Sequence, residues 1–118
     1  MAILKITSSI EKILNKDKSL LKELLRETQK HVSGINNFID LYSPFIGAKI
    51  LKAYLSKRKV RAIILLKTKK NVYLPVLIVK KDSEMGWNLS KYSEDLIATK
   101  IDRIGKEISE GKFKIYTI

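Results

Sequence analysis

VRAIILLKTKKNVYLPVLIVKK, Val60 to Lys81, consists of two apolar runs around a lysine-rich knot. Val60–Leu66 and Val72–Val79 are rich in β-branched residues and too short for separate helices, so they read as strands. Thr68 to Asn71, TKKN, makes a tight connection and predicts an antiparallel hairpin. If the turn centres on Lys69 and Lys70, Arg61 lies opposite Ile78, Lys59 opposite Lys80 and Arg58 opposite Lys81. Pro75 has no amide hydrogen for a ladder, which predicts an edge, a bulge or a strand end at that point. Both strands are apolar on both faces, so each face needs a cover.

Upstream, Ala2–Thr7 reads as a short strand or a lead-in. Ser8-Ser9-Ile10-Glu11 has the form of a capping box, and an apolar stripe follows through Ile10, Ile13, Leu14, Leu20, Leu21, Leu24 and Leu25. A break is expected at Asn15–Asp17 and an end near Gly34. Ser43-Pro44 reads as the start of a second helix through Lys57, with Lys49, Lys52 and Ser56 on its outer face. Downstream, Asp82–Gly86 reads as a turn and Trp87–Leu89 as a short strand. A helix starting at Ser93 carries Ile97, Ile101, Ile104 and Ile108 at helical spacing and closes at Gly111; Phe113–Ile118 alternates as a last strand. The expected order is (β)ααβββαβ, a single α+β domain over residues 1–118 with a small, mainly antiparallel sheet packed against helices.

Charge is the functional clue. The net charge is +12, and residues 41–81 carry eleven Lys or Arg with no Asp or Glu, so one segment supplies almost the whole excess. Concentrated like charge costs self-repulsion and points to a polyanionic partner. The hairpin reading divides it into a tip cluster, Lys67, Lys69 and Lys70, and a base cluster, Lys57, Arg58, Lys59, Arg61, Lys80 and Lys81. Lys59 and Lys69 then lie roughly 33 Å apart along the strand. Like charges paired at the base need solvent, counterions or a ligand. Tip lysines alone also suit a plainer role, keeping a sheet edge from aggregating.

The expected nucleic-acid-binding residues are therefore Lys49, Lys52, Lys57, Arg58, Lys59, Arg61, Lys67, Lys69, Lys70, Lys80 and Lys81, with Tyr73 and Trp87 to stack unpaired bases. Tyr54 and Tyr92 are second choices for stacking. The leading expectation is a small non-enzymatic protein that grips DNA or RNA phosphates with little sequence specificity, single strands favoured. A metal-independent ribonuclease of toxin type is the first alternative, since lysine, arginine and tyrosine suffice for that chemistry. A basic inhibitor or interaction protein docking on an acidic protein surface is the second.

Several classes find no support. The chain has no cysteine, no Gly-rich phosphate loop and no nucleophile motif, and His31 is its only histidine. Asp82 and Glu84 follow the second hairpin strand, but the next expected strand, Trp87-Asn88-Leu89, brings no carboxylate to complete a metal site. No cofactor or metal is expected, nor any transmembrane segment, and the short apolar start predicts a cytoplasmic protein. Gly105 interrupts the last helix near its isoleucine stripe, which suggests a close approach by another backbone, within the fold or across a homodimer.

Overall fold

In chain order the structure, a computed structural model that describes residues 1–80 and 93–118, runs β1 (Ile3–Thr7), α1 (Ser8–Leu14), α2 (Lys18–Val32), β2 (Ile39–Leu41), β3 (Ala48–Leu55), β4 (Val60–Lys67), β5 (Val72–Lys80), α3 (Ser93–Ser109) and β6 (Phe113–Thr117). The strands form one six-stranded sheet in the order β2-β3-β4-β5-β1-β6. Among the described residues only the β1–β5 pair is parallel. β5 lies parallel to β1 after α1, α2 and the strands β2–β4 intervene, a long connection of the kind a parallel neighbour requires. The α+β class and the mainly antiparallel sheet are those expected.

The break at residues 15–17 separates α1 from α2, where the Asp17 carboxylate accepts from Ser19 N–H at 3.1 Å as the N-cap of α2. Gly34 and Gly111 follow the ends of α2 and α3 with φ of +95° and +73°. There they turn the chain so that Ile35 N–H reaches the Lys30 carbonyl and Lys112 N–H the Glu107 carbonyl. The first expected helix is thus two elements, and both it and the last one end as read.

The expected helix from Ser43 to Lys57 is not formed. Ser43 makes a local turn instead, its hydroxyl donating to the Ala48 carbonyl at 2.9 Å and accepting from Phe45 N–H at 3.3 Å. Gly47 then takes φ +76°, which no helix accommodates, and Ala48–Leu55 pairs along its whole length with β4. The apolar residues at 50, 51, 54 and 55 fit a helix stripe as well as two strand faces, and eight ladder partners decide for the strand. Leu51, Ala53 and Leu55 are fully buried on one face, while Lys52 and Tyr54 lie half-exposed on the other. Lys49 and Lys52, expected side by side, therefore point to opposite faces.

The hairpin register follows the expectation from Lys67↔Val72 to Ile64↔Pro75. A bulge then intervenes, as Pro75 suggested, and Ile63 pairs with Leu77. The one-residue shift puts Val60 opposite Lys80 and Arg61 opposite Val79, so the expected Lys59–Lys80 juxtaposition is replaced by a lysine against a valine.

The core fills between the sheet and the helices, with Leu4, Ile6, Leu24, Leu51, Ile63 and Ile64 excluded from solvent. At its border His31, near the end of α2, stacks on Phe38 (4.8 Å between ring centroids, 16° between planes). Its Nδ1 lies 2.8 Å from the Tyr73 hydroxyl, which donates to it when the imidazole is neutral. Burial lowers the His31 pKa and Lys49 adds to that, against an opposing pull from Asp40; burial raises that of Tyr73. The unfolded chain then takes up the His31 proton first as pH falls below about 6.5, so this contribution to stability is present above that pH and lost as pH drops through the lowered folded value. Thermal melts at pH 7.5 and 5.0 check it: the loss on acidification is smaller in His31→Asn, which keeps an acceptor near the Tyr73 hydroxyl.

Gly105 is exposed and a Cβ built there meets nothing within 4 Å, so no close approach among the described residues explains it. Gly105→Ala is expected to stabilise the protein by about 0.8–1 kcal/mol, raising Tm by about 4 °C. An unchanged or lower Tm would mean that another chain packs against this position.

Candidate nucleic-acid interface

β3 and β4 are joined by a four-residue turn in which Ser56, Lys57 and Arg58 have φ of +50°, +54° and +72°. None is glycine, and the left-handed region costs about 1–2 kcal/mol for each such residue. A carboxylate from α2 helps hold the turn: Glu23 Oε1 accepts the Ser56 N–H at 2.8 Å, and Lys59 N–H closes back on the Ser56 carbonyl at 3.0 Å.

The strained turn folds Arg58 over the Tyr54 ring, its guanidinium 5.0 Å from the ring centroid. Arg61, directly opposite Tyr54 in the ladder, lies 5.8 Å from the same centroid. Lys52, two residues along β3 on the same face, places its Nζ 5.4 Å away. A half-exposed phenol is thus ringed by three cations from a strand, a turn and the facing strand. Its pKa is lowered, first by the hydrogen bond from Lys52, which burial opposes, with the charges of Lys52, Arg61 and Arg58 each adding a smaller downward effect.

The remaining expected residues divide by position. Lys57, Lys59 and Lys80 belong to this end of the β3–β4–β5 strands, Lys57 and Lys59 exposed in the turn and Lys80 at the end of β5 opposite Val60. Lys67, Lys69 and Lys70 are exposed at the opposite end, beside the 42–47 loop: Lys67 pairs with Ala48, and Thr68 donates from N–H and hydroxyl to the Gly47 carbonyl at 3.1 and 3.0 Å. Lys49 is exposed on the other face of β3 from Tyr54. Tyr73, expected to stack bases, is only 3% exposed and committed to His31, so it is a core residue. Lys81 and Trp87, with Asp82, Glu84, Tyr92 and the strand expected at Trp87–Leu89, lie outside the described residues.

Tyr54 is the residue that sequence reasoning undervalued. Its signal was present as the alternation Lys52-x-Tyr54 and the hairpin partner Arg61, but it appears only when residues 48–55 are read as a strand. His31, the one histidine, is absorbed by the Phe38 and Tyr73 contacts. Among the described residues no group of three His, Asp or Glu side chains is arranged to hold a metal ion, and no helix is long and apolar enough to cross a membrane. Comparison with protein-family models, with curated proteins and with solved structures finds no match.

Proposed function

We propose that the protein binds single-stranded nucleic acid through its phosphates at the Tyr54 end of the sheet, with little sequence preference. The observation that carries this reading is the convergence of Lys52, Arg58 and Arg61 on one half-exposed aromatic ring. Guanidinium and ammonium groups suit phosphate oxygens, and a tyrosine among them offers a base a surface to stack on. Lys57, Lys59 and Lys80 extend the positive field along the path of a flexible backbone. A single strand fits better than a duplex, because the cluster sits on a turn and two strand ends rather than on a helix that could enter a groove. Titration of a labelled single-stranded RNA and its duplex across salt tests it. Tighter binding of the single strand, with a log–log slope of several phosphates, is expected; absence of binding at low salt sinks the reading.

The lowered phenol pKa favours a second reading, a metal-independent ribonuclease. In that chemistry a ribose 2′-hydroxyl attacks the adjacent phosphorus while the Tyr54 oxygen, as phenolate, accepts its proton. The bond from phosphorus to the 5′-oxygen breaks, a protonated neighbour such as Lys52 returns a proton to the leaving oxygen, and a 2′,3′-cyclic phosphate remains. Arg58 and Arg61 neutralise the charge that builds on the equatorial oxygens. Cleavage of RNA that persists in EDTA, spares DNA and disappears in Tyr54→Phe selects this reading, whereas binding without cleavage keeps the first.

A further inference from the structure

Along the β2 edge of the sheet, the exposed apolar surface is concentrated in one short segment, residues 35–46. Ile35, Ile39, Tyr42, Phe45 and Ile46 are all exposed, Tyr42 at 74% and Ile46 completely. They flank β2, a three-residue strand at the sheet edge whose outer side pairs with nothing among the described residues. Natural edges are blunted by charge, lysine above all. The opposite edge follows that practice, with Lys114 on β6. The β2 edge departs from it: between Lys30 and Lys49 the chain carries no lysine or arginine, although it holds 24 in all.

The exposure is built rather than frayed. Phe38, next to β2, is buried under the His31 ring, and Asn37 Nδ2 donates to the Glu27 carbonyl at 2.8 Å. The Ser43 hydroxyl and the bonds from Thr68 to Gly47 hold the loop that presents Phe45 and Ile46. Those Thr68 bonds also set the tip lysines, Lys67, Lys69 and Lys70, beside the apolar patch.

We propose that this edge docks an extended, acidic segment of a partner protein, which adds a strand to β2, sets apolar side chains against Tyr42 and Ile46, and answers the tip lysines with carboxylates. Charge selects this occupant. A second copy would bring one +12 chain against another, with Asp40 the single carboxylate in the patch to offset it. Nucleic acid can stack a base on Tyr42 or Phe45 but leaves Ile35, Ile39, Ile46 and the unpaired backbone edge unsatisfied, whereas an extended peptide answers both. Ile39 borders the Tyr54 cluster opposite Lys52, but the anchors Tyr42 and Ile46 lie beyond Leu41, which pairs with Ile50, and the proposal does not depend on what that cluster binds.

A random peptide display library panned on the immobilised full chain tests the proposal. The expected peptides are net acidic with alternating apolar residues. A synthetic copy of the strongest slows amide exchange at residues 39–41 and binds at least about tenfold more weakly to the Tyr42→Ser, Ile46→Ser double variant, a fold-change equal to the loss of one buried anchor. Both positions are exposed, so the variant keeps its fold, which circular dichroism verifies. The proposal is overturned if no peptide is enriched, if the peptides carry no net negative charge, or if their binding survives the double substitution. It is also overturned if sedimentation shows the wild-type chain dimerising through this patch, or if the double variant loses RNA affinity instead.

Discussion

Replacing Lys52 and Arg58 together by glutamine is expected to weaken binding of a single-stranded RNA by about tenfold at moderate salt, and to reduce the slope of log affinity against log salt by about 1.4. The slope follows from two lost phosphate contacts at about 0.7 each for a single strand. Lys69→Gln with Lys70→Gln removes the same charge from the chain and is expected to change affinity less than about threefold, because the tip lies at the other end of β4. The comparison therefore separates a site from a general field: net charge is equal in the two variants, and only position differs. Glutamine keeps much of the aliphatic stem of each side chain, so the Tyr54 ring stays covered and Tm should hold within a few degrees. Anisotropy titrations between 50 and 200 mM salt read both quantities. Equal losses in the two variants would assign binding to the diffuse positive field and remove the Tyr54 cluster as its centre.

Local signals were legible wherever the chain solves its problem within a few residues. Gly34 and Gly111 end helices by taking positive φ, Asp17 caps α2 two residues ahead of its partner Ser19, and TKKN turns the hairpin with Asn71 at φ +51°. Charge was legible too, because the acid-free segment is a property of sequence that folding only redistributes. What escaped was decided across the sheet. Residues 48–55 satisfy both a helical and an alternating pattern, and the ladder with β4 chose between them. The bulge beside Pro75 was anticipated in kind, but its size, one residue, moved Lys80 from Lys59 to Val60 and removed the repulsion on which the base cluster had first been argued. The cluster survives for a different reason, the turn that folds Arg58 back over Tyr54, and nothing short of the backbone conformation at residues 56–58 announces it. Tyr73 looked like a surface aromatic beside lysines until α2 placed His31 against its hydroxyl.

The start of α1 follows the same rule and leads to the largest expected loss of stability. Ser8-Ser9-Ile10-Glu11 has the form of a capping box, yet no side chain caps α1 from Thr7, and Glu11 turns outward to Lys114 on β6 at 2.9 Å. The cap comes from the other end of the chain. Glu107 of α3 accepts from Ser9 N–H at 2.8 Å and from the Ser9 hydroxyl at 2.7 Å, while Ser8 N–H bonds the Lys112 carbonyl at 3.0 Å. One carboxylate thus satisfies an orphan amide of α1 and ties α1 to α3, over which β1 and β6 must close. Hydrogen bonds to a charged group are worth about 1.5–3 kcal/mol each, and the half-buried position lets water recover part of both. Glu107→Ala is therefore expected to cost about 2–3 kcal/mol and lower Tm by roughly 10 °C, with Glu107→Gln losing about half as much. Glu110→Ala, three residues on and paired with Lys112 only at 3.8 Å on the exposed surface, should cost less than about 0.5 kcal/mol. Denaturant unfolding of the three variants orders them. If Glu107→Ala melts with Glu110→Ala, burial of Ile10 and Leu14 alone holds α1 in place, and the bond between the two ends of the chain is incidental.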